Sequence, residues 1–552
     1  MRATVPPPNL LRIARQIELS YRIDDVRAAN ENWAAASADT CAAVLDGAAS
    51  FARDVLEPLN LAMDRDGCTL ADGRVRTAAG HRAAWDAYVT AGWPTLEAPG
   101  EHGGQGLPAI LAFAAQEMFD RACPAFGMLP VPQRSAFRVI GAFAPEAIRA
   151  EWLAKLASGE WSATICVSEV GAGSDLARAR TRAEPADDGS WSVTGEKCWI
   201  SFGDHDLADQ IGHVVLAQTD CADGKRRPSL FLVPALLPDG GRNAVAVRRL
   251  EHKLGLHGSP TCALGFEDAT GWLLGEVGRG LAQLFVMIAN MRLAVGAMGL
   301  GIASAAADVA CGYAAERKQG GKPEPVPIEQ HVDVQLQLLD MIAPVTLLRG
   351  LLYATANAND LAARGDVAAG ALTAWLLPIV KTTGGETAFD VSSGAIQVLG
   401  GAGYTNEWPP EQGLRDARVL TIFEGATGIQ ALDLVHRRLI GDDASFRAFL
   451  DAGEGLADPR WLACRCELET VAEWLRANPA LADGGATAFL HLASCAALSW
   501  IAAGYAEQSE DAGLSAIAGH WLDGAQARAA ALRDQVMIGQ TLAGRFAAVA
   551  GE

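Results

Sequence analysis

Apolar residues recur every three or four positions from about residue 30 to 160, as in DTCAAVLDGAASFARDVLEPLNLAM (39–63). This is the rhythm of helices with one buried stripe. The glycine-rich PGEHGGQGLPA (99–109) interrupts it. Near residue 161 the pattern changes to short alternating or apolar runs: WSATICVSEV, SWSVTGEKCWISF, IGHVVLAQTD, SLFLVPALL and TCALGFED. Turn sequences such as DDGS, TGEK and DGKRRP divide them, which predicts an antiparallel β unit. No helical segment of ten or more residues separates consecutive strands, so a βαβ array is excluded. After Gly280 helices are expected at 280–317, 330–364, 368–400 and 421–438, with the loop QGGKPEPVPIE at 319–329. GGAG (400–403) should break a helix, and the polar stretch through Arg415 and Asp416 should form a long loop. Beyond about 440 an alanine-rich helical block follows, broken at NPALADGG (478–485) and near Gly513.

The expected fold is therefore α+β and mostly α. It has an N-terminal helical domain (1–160), a middle antiparallel β domain (161–279), a helical bundle (280–440) and a C-terminal helical extension (441–552). Two apolar runs, Leu293 to Ala307 and Phe489 to Tyr505, resemble membrane spans. Asp308 follows the first and His491 interrupts the second, so both read as buried bundle helices.

Composition narrows the class. Half the residues are hydrophobic and a fifth are charged, enough for large cores. The formal charge is −20 with no basic block, which makes nucleic acid a poor partner. The eleven cysteines are scattered, and Cys464-x-Cys466 has no second pair or histidine cluster to complete a zinc site. The N-terminus lacks the apolar core of a signal peptide. A reduced, metal-free cytoplasmic protein is the expectation.

Candidate chemistry lies in three segments. ICVSEVGAGSDLARARTRAE (165–184) is a strand running into a glycine-spaced loop with Ser168 and Ser174. Its backbone N–H groups suit a flat heteroaromatic ring or phosphates, although an ordinary strand exit looks the same. KCWISFGDHD (197–206) places Trp199 and Ser201 two residues apart on one strand face. A lone strand Trp is usually core; beside the first loop, it could wall a flavin. In AIQVLGGAGYTNEWPPEQGLRDARVLTIFEGATGIQ (395–430), Glu424 stands between Phe423 and Gly425. Poor solvation there would raise its pKa and suit a base, but a capping or salt-bridged glutamate fits the local sequence as well. GLGIAS (299–304) loosely fits a dinucleotide fingerprint but lies within an apolar helix, so it reads as helix packing through small residues.

Taken together and in this order, CVSEVGAGSD, KCWIS, EHKLGLHGS, NMRLAVGAMGLG, QVLGGAGYT and RDARVLTIFEGATGIQ resemble the acyl-CoA dehydrogenase family over about residues 90 to 440. The extension and EHKLGLHGSPTCALGFEDATGWLLGE (251–276) are similar to the subgroup typified by 3-methylmercaptopropionyl-CoA dehydrogenase. The resemblance implies FAD as cofactor and α,β-desaturation of an acyl-CoA to a trans-2-enoyl-CoA, with Glu424 as the base. It implies flavin contacts from Ser168, Ser174, Trp199 and Ser201. It places Arg317, Gln397, Gly400 and Gly401 near a neighbouring subunit's FAD, and Ser174, Arg292 and Gly425 near the substrate. It further implies a homodimer or tetramer and an electron-transfer flavoprotein as electron acceptor. An acyl-thioester oxidase, or a desaturase of carrier-protein-linked acyl groups, is the alternative on the same fold. Val170 departs from the family's proline, Phe423 from its tyrosine and Ala426 from its threonine. These changes affect the fine contacts to FAD and CoA and leave the base and the flavin-side hydroxyls in place.

Overall fold

Strands with an unbroken apolar run, such as the VVLA of IGHVVLAQTD (211–220), must be buried on both faces, and the middle of the chain shows how. The computed structural model describes residues 3–539 and 542–550. The chain divides into two units, one of Ser50–Leu107 with Ala122–Met291 and the other of Met1–Ala49, Pro108–Arg121 and Arg292–Glu552.

The first of these holds all the larger strands. A hairpin of β1 (Thr69–Ala71) and β2 (Arg74–Arg76) precedes them. The sheet consists of β3 (Trp161–Cys166), β4 (Arg182–Pro185), β5 (Trp191–Ser201), β6 (Gln210–Asp220), β7 (Arg226–Pro234), β8 (Val245–Leu250) and β9 (Thr261–Leu274). The expected antiparallel pairing holds for β4–β5, β5–β9, β6–β7, β7–β9 and β8–β9. Two parallel pairings add to it: β3 runs along β6 from Trp161↔Gln210 to Cys166↔Val215, and β4 meets β6 at Arg182↔Gln218. That last contact closes β4, β5, β9, β7 and β6 into a ring, which leaves few free edges. Alternate residues of β6 then serve two cores. Val215 and Ala217 pack inside with Val193, Phe231, Leu264 and Phe266. Val214 and Leu216 pack outside against Val139, Ile140, Trp152 and Leu284 of the helices.

The β1–β2 hairpin corrects the purely helical reading of the N-terminal region. Its turn is Asp72-Gly73, with φ of 51° and 72° at the two positions. Asp-Gly is a favoured pair where both central residues take positive φ. Asp204 fixes the hairpin, accepting from the Val75 N–H at 2.7 Å and pairing with Arg74 at 2.8 Å.

The other unit is helical. Its long elements are Gly280–Glu316 (from Arg292 onward), Val332–Ala363 and Val367–Leu399, close to the expected spans. GLGIAS is a packing seam, as expected: a Cβ on Gly299 would stand 2.2 Å from the Gly384 carbonyl oxygen. Arg349 forms a bidentate pair with buried Glu117 and donates to Gln16 Oε1 at 2.9 Å, tying three segments distant in sequence. Two expectations fail here. The stretch through Arg415 and Asp416 is a helix, Pro409–Ala417, started by two prolines that fit a first turn. Residues 422–426 are not helical: a 3-10 turn ends at Thr421 and the next helix begins at Thr427.

The extension packs onto this bundle. Its long helices are Pro459–Ala477, Ala482–Gln508 and Ala512–Ile538, and Trp375 of the bundle meets Phe446, Phe449 and Phe489 of the extension. Asp511 caps the last of them, accepting from the N–H groups of Gly513 and Leu514. Among the described residues four helices are long and apolar enough to cross a membrane, but 72–78% of each apolar window is buried inside the protein.

Candidate active site

The flavin-side candidates share one structural device. In β5 the pairing with β9 steps from Lys197↔Leu264 to Ile200↔Cys262, so two residues bulge opposite one. Trp199 occupies the bulge at φ 63° and is 61% exposed. This excludes the core reading of that indole. A β-strand residue forced into the left-handed region costs roughly 1–3 kcal/mol, and such strain concentrates where a side chain must be aimed. Ser201 follows on the same side and is half-buried.

The neighbouring loop is locked to this bulge. The Cys198 N–H donates to the Ser168 carbonyl at 2.9 Å. Glu169 accepts from the N–H groups of Arg180 and Thr181 and from Lys197 Nζ at 2.8 Å, while Nζ also reaches the Val167 carbonyl. Burial opposes the charge on Glu169, but Lys197 and the backbone donors hold its carboxyl below the ordinary range. Burial likewise lowers the Lys197 ammonium, against the pull of Glu169. Glu169 and Lys197 are positioning residues missed in the sequence, although both stand inside quoted motifs. One expected donor is lost, because the Ala172 N–H closes a tight turn onto the Glu169 carbonyl. Beyond that turn the loop is open: Val170 is 95% exposed, Ser174 is exposed, and a Cβ on Gly171 or Gly173 would meet nothing within 4 Å.

In the helical unit, Glu424 sits in the non-helical turn before Thr427 at φ 54°, with Gly425 at φ 87°. Two buried side chains pin the turn. Lys381 Nζ donates to the Gly425 carbonyl at 2.8 Å, and Gln430 Nε2 donates to the Glu424 carbonyl at 2.9 Å. The amide N–H groups of Glu424 and Gly425 have no partner among the described residues. Burial pushes the Glu424 carboxyl above its ordinary value, against the attraction of Lys381 and Arg292. Arg292 itself is engaged by Asp433 at 3.3 Å, and Asp433 also gathers Arg437 and Arg438. Arg292 therefore stands near Glu424 while sharing one carboxylate with two other arginines. Lys381, Gln430 and Asp433 had escaped the sequence reading; a lone lysine in the apolar WLLPIVKTT was the available signal.

The remaining candidates lie at the surface of this unit. Arg317 and Gln397 are exposed. Gly400 ends its helix at φ 62°, and a Cβ there or on Gly401 would meet nothing. No hydrogen bond or ion pair joins this group to Glu424 among the described residues.

Family models describe the same sequence. The acyl-CoA dehydrogenase N-terminal domain matches residues 39–160, the middle domain 164–269 and the C-terminal domain 278–440. A 3-methylmercaptopropionyl-CoA dehydrogenase from Ruegeria pomeroyi is 40% identical over 419 residues, 73% of this chain and 71% of that protein. The chain belongs to the acyl-CoA dehydrogenase family. It is accordingly an oxidoreductase in class. The butyryl-CoA dehydrogenase structure from Megasphaera elsdenii aligns at TM-score 0.63 and 25% identity, covering 73% of this chain and 98% of its own. An acyl-CoA dehydrogenase structure from Bacillus anthracis, described as complexed with FAD, aligns at TM-score 0.77 and 21% identity over 91% of this chain and 88% of its own. That wider coverage takes in much of the extension, which is therefore part of a fold shared with a larger acyl-CoA dehydrogenase.

Proposed function

We propose that this chain is an FAD-dependent acyl-CoA dehydrogenase in which Glu424 removes the α-proton of a short acyl-CoA. The observation that carries the reading is the Glu424 turn: a carboxylate in a strained, left-handed conformation, pinned by two buried side chains and without an ion-pair partner among the described residues. A glutamate kept for capping or for a surface salt bridge needs none of this.

The residues fit a flavin. Trp199 offers an exposed indole face, Ser168 and Ser201 supply hydroxyls beside it, and the Gly171–Gly173 loop is open to a planar ring. Bound there, FAD supplies the acceptor for the β-hydrogen, which leaves with its electron pair as the α-proton goes to Glu424. A thioester α-proton is far less acidic than an ordinary glutamic acid, whose pKa is about 4.3. The unpartnered N–H groups of Glu424 and Gly425 are available to a thioester oxygen, where they would stabilise developing enolate charge. A raised Glu424 pKa narrows the remaining gap between base and carbon acid. The product is a trans-2-enoyl-CoA.

Relatives named for methylmercaptopropionyl-CoA and butyryl-CoA support a short acyl chain. We further read an electron-transfer flavoprotein as the acceptor, and a homodimer in the cytoplasm in which exposed Arg317, Gln397, Gly400 and Gly401 meet the partner's cofactor. The test is anaerobic titration of the FAD-loaded protein with acyl-CoAs from propanoyl to long-chain, including methylthiopropanoyl. Flavin bleaching should be fastest with the short members. No bleaching by any acyl-CoA would contradict the reading, and stoichiometric hydrogen peroxide in air would turn it toward an oxidase.

A further inference from the structure

A buried ammonium needs a counter-charge, and Lys381 has an unusual one. It lies fully buried in the apolar Val367–Leu399 helix, and its Nζ donates to the neutral Gly425 carbonyl at 2.8 Å. A neutral acceptor offsets little of the penalty for taking a full charge out of water. Burial pushes this ammonium down to about 8, with Glu424 and Glu386 favouring the cation and Arg292 opposing it. Of these, Glu386 pairs with His491 at 3.1 Å, and Arg292 pairs with Asp433, which Arg437 and Arg438 also reach. Glu424 has no such partner among the described residues. The base is the unpaired anion that Lys381 faces, one residue along the backbone from the carbonyl that Lys381 holds.

We propose that Lys381 is the positioning residue of the base: it fixes the Glu424–Gly425 turn through the Gly425 carbonyl, and its charge keeps Glu424 ionised in water-poor surroundings. This rests on the role given to Glu424 above. The two effects separate chemically. Lys381→Gln keeps an N–H donor for the carbonyl but removes the charge, whereas Lys381→Met removes both at similar length.

The experiment is anaerobic stopped-flow bleaching of the FAD-loaded variants across pH, with thermal melting and acyl-CoA binding measured alongside. In both variants the acid limb of the bleaching rate should move to higher pH by about one unit, as expected when an adjacent cation is lost. The high-pH plateau should stay within roughly threefold for Gln and fall on the order of 100-fold for Met, because a misplaced base loses its geometry. Binding of acyl-CoA should change little, since Lys381 is buried behind the turn. A Gln limb at the wild-type pH overturns the electrostatic role, and a Met plateau at the wild-type rate overturns the positioning role. If the Met variant does not fold, the Gln limb still decides. Failure of the base assignment is distinguishable, because it shows as full bleaching by Glu424→Gln whatever the Lys381 variants do.

Discussion

Two buried lysines each sit under a residue in the left-handed conformation, and they are used differently. Lys197 lies two residues before Trp199 in β5, and Lys381 holds the carbonyl of the residue after Glu424. Lys197 is neutralised locally by Glu169 at 2.8 Å, with 0% and 9% of the two side chains exposed. The lysine's charge is thereby spent within the scaffold, and the exposed indole is left to stack. Among the described residues Lys381 has only a carbonyl in hydrogen-bond reach, and the anion that balances it is the proposed base. A buried charge paired on the spot makes a scaffold. One balanced by a reactive group makes part of a site.

The largest effect should come from breaking the closed pair. Glu169→Ala leaves the Lys197 ammonium buried without an anion, and such losses cost about 3–5 kcal/mol. Urea unfolding should show that loss, together with failure to retain FAD. Wild-type stability would mean that Lys197 is readily neutral and the bulge holds itself.

Acid should separate the two units next. Burial pushes His81 down to about 4, His205 to about 3 and His213 to about 4, all in the strand-bearing unit. Between pH 6.5 and about 4 the unfolded chain binds these protons and the folded unit does not. Stability is therefore lost as pH falls through that window, by on the order of 3 kcal/mol per group. In the helical unit, Glu386 raises His491, whose contribution is fully present below 6.5 and is lost as pH rises. Hydrogen exchange at pH 5 should thus show strand peptides opening before bundle peptides; simultaneous opening would remove the distinction.

The smallest effect is the most selective. Trp199→Gly relieves the strain at φ 63° and loses few contacts, so unfolding free energy should stay within about 1 kcal/mol of wild type. Flavin affinity should fall roughly tenfold, the scale of one aromatic stacking contact. A large loss of stability with unchanged flavin affinity would make Trp199 structural after all.

The same contrast explains what could be read in advance. The long helices were legible because apolar periodicity needs only neighbours in sequence, and Gly299 and Gly301 were rightly read as packing positions. The strands were legible for the same reason. Their parallel partners were not, because pairing direction depends on residues about fifty positions away, as at Cys166↔Val215. Trp199 and Ser201 were seen as a pair, but the bulge that exposes the indole arises from its register with β9. Pro409–Ala417 reads as a loop because even its inner face is polar, with Gln412 and Asp416 buried in place of an apolar stripe. Glu424 is legible through its motif, and Gln430 stands six residues on within it; Lys381, 44 residues before the carbonyl it holds, is brought there only by folding.

The central claim is tested most directly by Glu424→Gln, loaded with FAD and mixed anaerobically with the acyl-CoA that bleaches the wild type fastest. The substitution keeps shape and removes the base. The flavin spectrum and substrate binding should be unchanged, with bleaching slowed by at least about 1,000-fold. Full bleaching at a rate near wild type would show that another group takes the α-proton, and that the strained turn serves some other end.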